Sequence, residues 1–309
     1  MQWKQIKVLF ILCFLVLDIY LLVMFFQKQQ DAEDLGIAES LTSTVEDLED
    51  ENIKIEADLP QQQLEESFIS VKQKNFTKED EKVLDDKTNL EAVRIKDNLM
   101  IGRFEEPVSL QENGSDDVIA EQVKSFILSP ESYTFWDWNK ELNVLVFFQQ
   151  KNDRPIYFNQ SGIVLVFLND ENEMIFFTQT MLGEPQSPGD TNSLIKPKQA
   201  INVLFTNNML VSGDVVTDVS IGFYTRYPLD SGVKVFAPTW AITVNEEENF
   251  YVTAIENRVF SSDEQQFLEN AARSIFNKVR TTGEETELKE FVLNHINQKL
   301  TEVNRSETE

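Results

Sequence analysis

The 309-residue chain carries 53 acidic against 27 basic side chains, a formal charge of −26, and 41% of its residues are hydrophobic. Enough apolar material is present to bury a sizeable core, while so acidic a surface repels phosphate backbones and argues against nucleic acid as a partner. One cysteine, Cys13, excludes an intrachain disulfide or a cysteine-based zinc site, and one histidine, His295, excludes a histidine-ligated zinc or haem centre.

From Val8 to Phe26 every residue but Asp18 is apolar, a run of 19 residues that spans about 28 Å as a helix, close to the thickness of a bilayer's hydrocarbon core. Lys4 and Lys7 precede it, and the acidic residues Asp31, Glu33 and Asp34 follow Lys28. The reading is a cytoplasmic N-terminus at 1–7, a transmembrane helix at 8–26 and an exported body, with Lys4 and Lys7 setting the topology. The rival is a cleaved signal peptide, but Phe25, Phe26, Gln27 and Lys28 stand where a small-residue cleavage site would be. Asp18 falls near mid-span, where an ionised carboxylate costs roughly 3 kcal/mol on insertion scales. It is expected to face another helix, with Leu15 and Leu22 on the same side.

Residues 27–51 are rich in Gln, Glu, Asp, Ser and Thr and read as a stalk. Beyond them, short Val, Ile, Phe and Tyr runs separated by turn residues predict strands: Phe68 to Lys72, Ala92 to Ile95, Leu99 to Phe104 and Asn143 to Phe148. Gly162 to Leu168 and Met174 to Thr180 flank the polar turn Asn169 to Glu173 as a hairpin. Helical spacing predicts helices at Asp116 to Leu128 and Pro197 to Met209, and the strands Val215 to Tyr224, Val233 to Val244 and Phe250 to Val259 follow the second. A helix-then-sheet unit thus occurs twice, which predicts an α+β body of two lobes, 52–190 and 191–260, divided in the Gly/Pro/Ser-rich stretch Gly183 to Asp190.

The tail, 261–309, is predicted to be a helical hairpin. Ser262 and Gln265 form a candidate capping box ahead of the stripe Phe267, Leu268, Ala271, Ala272, Ile275, Phe276 and Val279. Gly283 breaks the pattern, and Leu288, Phe291, Val292, His295 and Ile296 resume it. Such a hairpin either docks on the body or binds a partner.

Little points to catalysis. His295 lies on a helical stripe, where packing is its ordinary role, so a Ser-His-Asp or Cys-His centre has nowhere natural to form. No Gly-rich phosphate loop is present. Trp136, Asp137 and Trp138 suit a sugar-cleaving cleft only as one chance pairing among many carboxylates. The turn Asp170, Glu171, Asn172, Glu173 lacks the spacing and glycine of a Ca²⁺ loop. No catalytic residue, cofactor or metal is expected.

Three groups of residues carry a resemblance. Met1, Gln2, Trp3, Lys4 and Lys7 lead into Phe10, Ile11 and Leu12, with Asp18 inside the span. Arg154 to Asn159 lead into Gly162 to Thr180. Ile221, Gly222, Phe223 and Tyr224 precede Pro238, Thr239 and Trp240, then Tyr251 and Val252. In this order and spacing the chain resembles the YycI family of accessory membrane proteins of Gram-positive bacteria. The resemblance implies a non-enzymatic protein that, with a YycH-like partner, associates through transmembrane helices with the essential sensor histidine kinase WalK (YycG). It implies adjustment of a two-component system that controls cell-wall metabolism, by inhibition in some bacteria and activation in others. Gln2 stands where members often carry Asp or Asn, and the tail beyond about residue 260 departs from the family pattern. The alternative from another class is an anchored wall-binding or wall-processing, glycosidase-like protein.

Overall fold

A computed structural model describes residues 51–306 except 112–114, 187–188, 229–231, 262 and 284–285, together with 7, 12, 14, 15, 17–22, 24 and 48. The first part of the body holds β1 (Lys54–Ile55), β2 (Glu65–Glu66), β3 (Ile69–Lys72), α1 (Lys78–Asp85), β4 (Leu90–Ile95), β5 (Leu99–Ser109) and α2 (Asp116–Lys124). Next come β6 (Tyr133–Asn139), β7 (Val144–Lys151), β8 (Arg154–Tyr157), β9 (Ile163–Leu168), β10 (Glu173–Gln179), β11 (Asn192–Ser193) and α3 (Pro197–Thr206). The chain closes with β12 (Val215–Pro228), β13 (Val233–Val244), β14 (Glu248–Thr253), β15 (Val259–Ser261), α4 (Glu264–Arg280) and α5 (Glu287–Ser306).

Two sets of strands share one hydrogen-bonded network. The first runs β4-β5-β10-β9-β7-β6, antiparallel throughout. The second runs β12-β13-β14-β15, also antiparallel, with β1 added parallel to β12 and β3 antiparallel to the start of β13. By pairing, β1 and β3 lie with the second set although they precede the first in sequence, so contacts cross the division expected at 183–190. Leu48, within the expected stalk, is buried beside Ile53 and Leu59.

The first sheet is buried on both faces, which is why β9 reads as an unbroken apolar run. Alternation then sorts its side chains. Val144, Val146 and Phe148 meet Leu268, Ile275, Val292 and Ile296 of α4 and α5 on one face. Leu145 and Phe147 meet Leu84 of α1 and Ile119 and Val123 of α2 on the other. Under the second sheet, Ala200, Ile201 and Leu204 of α3 pack on Val216, Trp240 and Ile242. The C-terminal hairpin therefore docks on the body.

Several boundaries move for local reasons. The helix expected over Asp116 to Leu128 ends at Lys124, because Gln179 takes the Leu128 backbone from both sides, accepting from its N–H at 3.0 Å and donating to its carbonyl at 2.8 Å. Ser129, at φ 49°, then turns the chain. The helix expected to reach Met209 stops at Thr206, followed by Asn208 at φ 55°. Phe250 to Val259 is two strands, since Thr253 and Arg258 close a turn between them. The cap of α4 is Asp263, accepting from the Gln266 N–H at 2.8 Å, rather than Ser262 with Gln265; Ser262 lies outside the described residues. Helix α1 has too polar a sequence for the apolar stripe to reveal, yet Thr77 and Asp80 form the capping box that starts it.

Replacing Ile296, 1% exposed between hairpin and sheet, with Ala is expected to cost about 2–5 kcal/mol in urea denaturation. Val211→Ala, at a site 63% exposed, should stay within about 0.5 kcal/mol of the parent.

Candidate functional site at the seam of the sheets

One hairpin joins the two sets of strands. β7 turns through Asn152 and Asp153, both at positive φ as a two-residue hairpin requires, into β8. Gln150 pairs with Pro155 and Lys151 with Arg154. β8 then lies parallel to β12 through only two registered pairs, Ile156 with Phe223 and Tyr157 with Tyr224. Gly222 makes this approach possible: a Cβ there would strike the Tyr157 ring and the Pro155 carbonyl. Arg154 is held 2.8 Å from the carboxylate of Glu66 in β2.

Aromatic rings fill the seam. Tyr157 packs 5.4 Å from Trp136 and 5.2 Å from Tyr251. Phe158 lies 5.3 Å from Phe148 and 5.3 Å from Phe267 of α4. Its backbone sits at φ 49°, a strained left-handed conformation for a side chain this bulky. Tyr224 stacks on Phe260 at 5.1 Å. The stretches singled out in the sequence converge here: Ile221 pairs with Trp240, Gly222 with Thr239 and Phe223 with Pro238, while Tyr251 and Val252 lie on the next strand.

At the mouth of the seam, the Glu264 carboxyl is held above the usual carboxylate range by burial first and then by the charge of Asp137, with Trp136 acting the other way. Burial likewise pushes the Tyr157 hydroxyl up to about 12 and the Tyr251 hydroxyl higher still. Tyr251 Oη, Glu264 Oε1 and Gln265 Nε2 are buried without a hydrogen-bond partner among the described residues. Beside them an open cavity of about 290 Å³ is lined by Glu247, Glu248, Asn249, Phe250 and Glu264. The indole of Trp136 is occupied in ring packing, and that of Trp138 donates to Asn143 Oδ1 at 3.1 Å under the Lys140 ammonium.

The residues expected to act in a membrane are not among those that build this seam. Asp18, Leu15 and Leu22 are helical and exposed, Leu15 at 54% and Leu22 at 57%. Lys7 is helical and exposed, while Lys4 and the remainder of 8–26 and of the stalk fall largely outside the described residues. Among the described residues no helix is long and apolar enough to cross a membrane. His295 packs edge-on against Phe167 and Phe176 at 6.1 and 5.5 Å, and burial, then the Lys299 charge, lowers it to about 4. The Asn169–Glu173 turn satisfies itself. Asn169 Oδ1 accepts from the N–H groups of Glu171 and Glu173, Asn169 Nδ2 donates to Glu173 Oε2, and Ser109 Oγ to Glu173 Oε1. Among the described residues no group of three or more His, Cys, Asp or Glu is placed to hold a metal ion.

Fold and seam together define an α+β protein whose two sets of strands are joined by aromatic packing. The chain belongs to the YycI family: the family model described as YycI protein matches residues 33–255. Solved structures similar to it include an uncharacterized protein from Eubacterium rectale, at 10% identity and TM-score 0.42 over 69% of this chain and 91% of that one. Another is YycH from Bacillus subtilis, at 10% identity and TM-score 0.37 over 65% of this chain and 54% of that one. No curated protein sequence matches it.

Gly222→Ala is expected to lower stability by about 1–3 kcal/mol through overpacking of the seam, read as a drop in urea midpoint; Gly189→Ala, with open space around it, should leave the midpoint in place. The two shifted groups have opposite signs. The raised Glu264 contributes stability that is full below the ordinary carboxyl range and is lost as pH rises through its folded value. Glu264→Gln should therefore stabilise the protein at neutral pH, with the gain vanishing toward pH ~4. The depressed His295 contributes stability that is full above about 6.5 and is lost as pH falls through about 4. His295→Phe should flatten that acid-side loss in melting curves collected across this window.

Proposed function

We propose that this YycI-family protein is a non-catalytic regulator of the WalK sensor-kinase pathway, anchored in the cell membrane by residues 8–26 with its N-terminus cytoplasmic and its body outside. The family match over residues 33–255 carries the reading. The apolar run ending at Phe26 and the lysines Lys4 and Lys7 support the topology.

In this reading the body pairs with a YycH-like subunit, and Asp18, flanked by Leu15 and Leu22, meets the kinase's transmembrane helices. A polar contact within the membrane is worth about 0.6–2 kcal/mol, and allosteric couplings run at about 1–3 kcal/mol. One intramembrane contact therefore suffices to bias a kinase bundle between two arrangements. The seam serves this purpose by making the exported body a single rigid unit.

Asp18→Leu is expected to weaken association with the kinase by about 3- to 30-fold, measured by co-purification from membranes, and to shift kinase output in the same cells. Full regulation by a fragment lacking residues 1–26 would sink the membrane mechanism. Release of fragments from purified peptidoglycan by the isolated body would instead favour a wall-processing role.

A further inference from the structure

Away from the seam, the two sets of strands meet a second time around a small polar hollow. β3, which belongs to the second set, is flanked on one side by the start of β13, where Lys72 pairs with Val233 and Ser70 with Val235. On its other side runs the chain that leaves β10. Ser70 and Gln186 exchange backbone bonds at 2.7 and 2.9 Å, and the Gly183 N–H donates to the Lys72 carbonyl at 2.8 Å. Ile69 and Val71 face the core. Alternation therefore turns Ser70, Lys72 and Lys74 to the opposite face, where they line one cavity of about 240 Å³ with Glu184 and Gln186. Gly183 lies in the same wall. Its φ is outside the left-handed region, so the backbone there does not call for glycine, and the absent side chain leaves room beside Lys72.

In a chain with almost twice as many acids as bases, lysines ordinarily find carboxylates. Lys299 has Asp170 and Glu302, Lys124 has Glu121, and Lys151 lies 4.0 Å from Glu184 at the rim of this hollow. Lys72 and Lys74 break the pattern. Neither ammonium has an ion pair or a hydrogen bond among the described residues, although both line the same cavity. With Glu184 balanced by Lys151, the hollow holds two uncompensated positive charges. The rest of its lining is polar, including the Ser70 hydroxyl and the amides of Gln73 and Gln186, and its one apolar side chain is Val233.

We propose that this hollow binds the phosphate monoester of a small polyol. Such a phosphate carries a charge near −2 at neutral pH, which matches two lysines acting as point charges with three donors each. A carboxylate would leave one of them unpaired. The hydroxyls of the polyol meet Ser70, Gln73, Gln186 and the Glu184 carboxylate, whereas an apolar body would meet a single valine. Drug-sized ligands occupy about 300–1,000 Å³, so a cavity below that range takes a smaller one. Because its walls come from β3 and from the chain leaving β10, a bound ligand bridges the two sets of strands. The site is independent of the anchor and of any kinase contact.

The test is calorimetric titration of the full chain in nonionic detergent with glycerol phosphate, with inorganic phosphate and glycerol as comparison probes. One saturable site for glycerol phosphate is expected, weakened about tenfold by Lys72→Gln or by Lys74→Gln. Lys82→Gln, at an exposed lysine of α1, should leave it unchanged. Lys72 and Lys74 are exposed, so their variants should melt with the parent when no ligand is present. Saturating glycerol phosphate should raise the melting temperature of the parent and leave that of the double glutamine variant in place. The proposal is overturned by a titration without saturable heat, by both single variants binding like the parent, or by inorganic phosphate or glycerol binding as tightly as glycerol phosphate.

Discussion

Two residue pairs between parallel strands hold the halves of this protein in register. Ile156 with Phe223 and Tyr157 with Tyr224 form a short ladder, and backbone bonds from β3 and the residues just after it to the segment after β10, such as the Lys74 N–H to the Met181 carbonyl at 2.8 Å and the Gly183 N–H to the Lys72 carbonyl at 2.8 Å, add to it. Rigidity comes from what surrounds it. Gly222 lets the Tyr157 ring lie against the backbone of β12, and rings from β6, β7, β14 and α4 close around Tyr157 and Phe158. Large buried aromatics bring both area and directional edge-to-face contacts, so a two-pair junction behaves as a packed core.

The C-terminal hairpin completes that junction. Phe267 of α4 reaches the seam, while Leu268, Ile275, Val292 and Ile296 cover the face of the first sheet that Val144, Val146 and Phe148 present. The family match ends at residue 255, so this cover lies beyond the matched region even though it buries residues within it. Without it, an apolar sheet face would stand in water, a state that soluble domains avoid.

Charge is distributed with the same economy of position. Carboxylates dominate the exposed surface, and the few that turn inward, such as Glu264 beside Asp137, are shifted by the burial they suffer. Burial holds the Lys234 and Lys278 ammonium groups below the usual lysine range, the mirror-image effect. Net charge favours solubility and sets which partners are repelled at a distance.

Much of this was readable in the amino acids alone. Period-two alternation, turn residues and helical stripes placed the β9–β10 hairpin, the long strands β12 and β13 and both C-terminal helices, because local burial pattern is written into composition at fixed spacing. The family resemblance rests on the order and spacing of residues from Met1 through Val252, among them Arg154 to Asn159, Ile221 to Tyr224 and Pro238 to Trp240. Only the folded chain decided that these three stretches touch, that β1 and β3 cross to the second set of strands, and that Gln179 ends α2 by capturing Leu128. Such facts depend on pairings between distant segments, and no local period records which distant strand a given edge will meet.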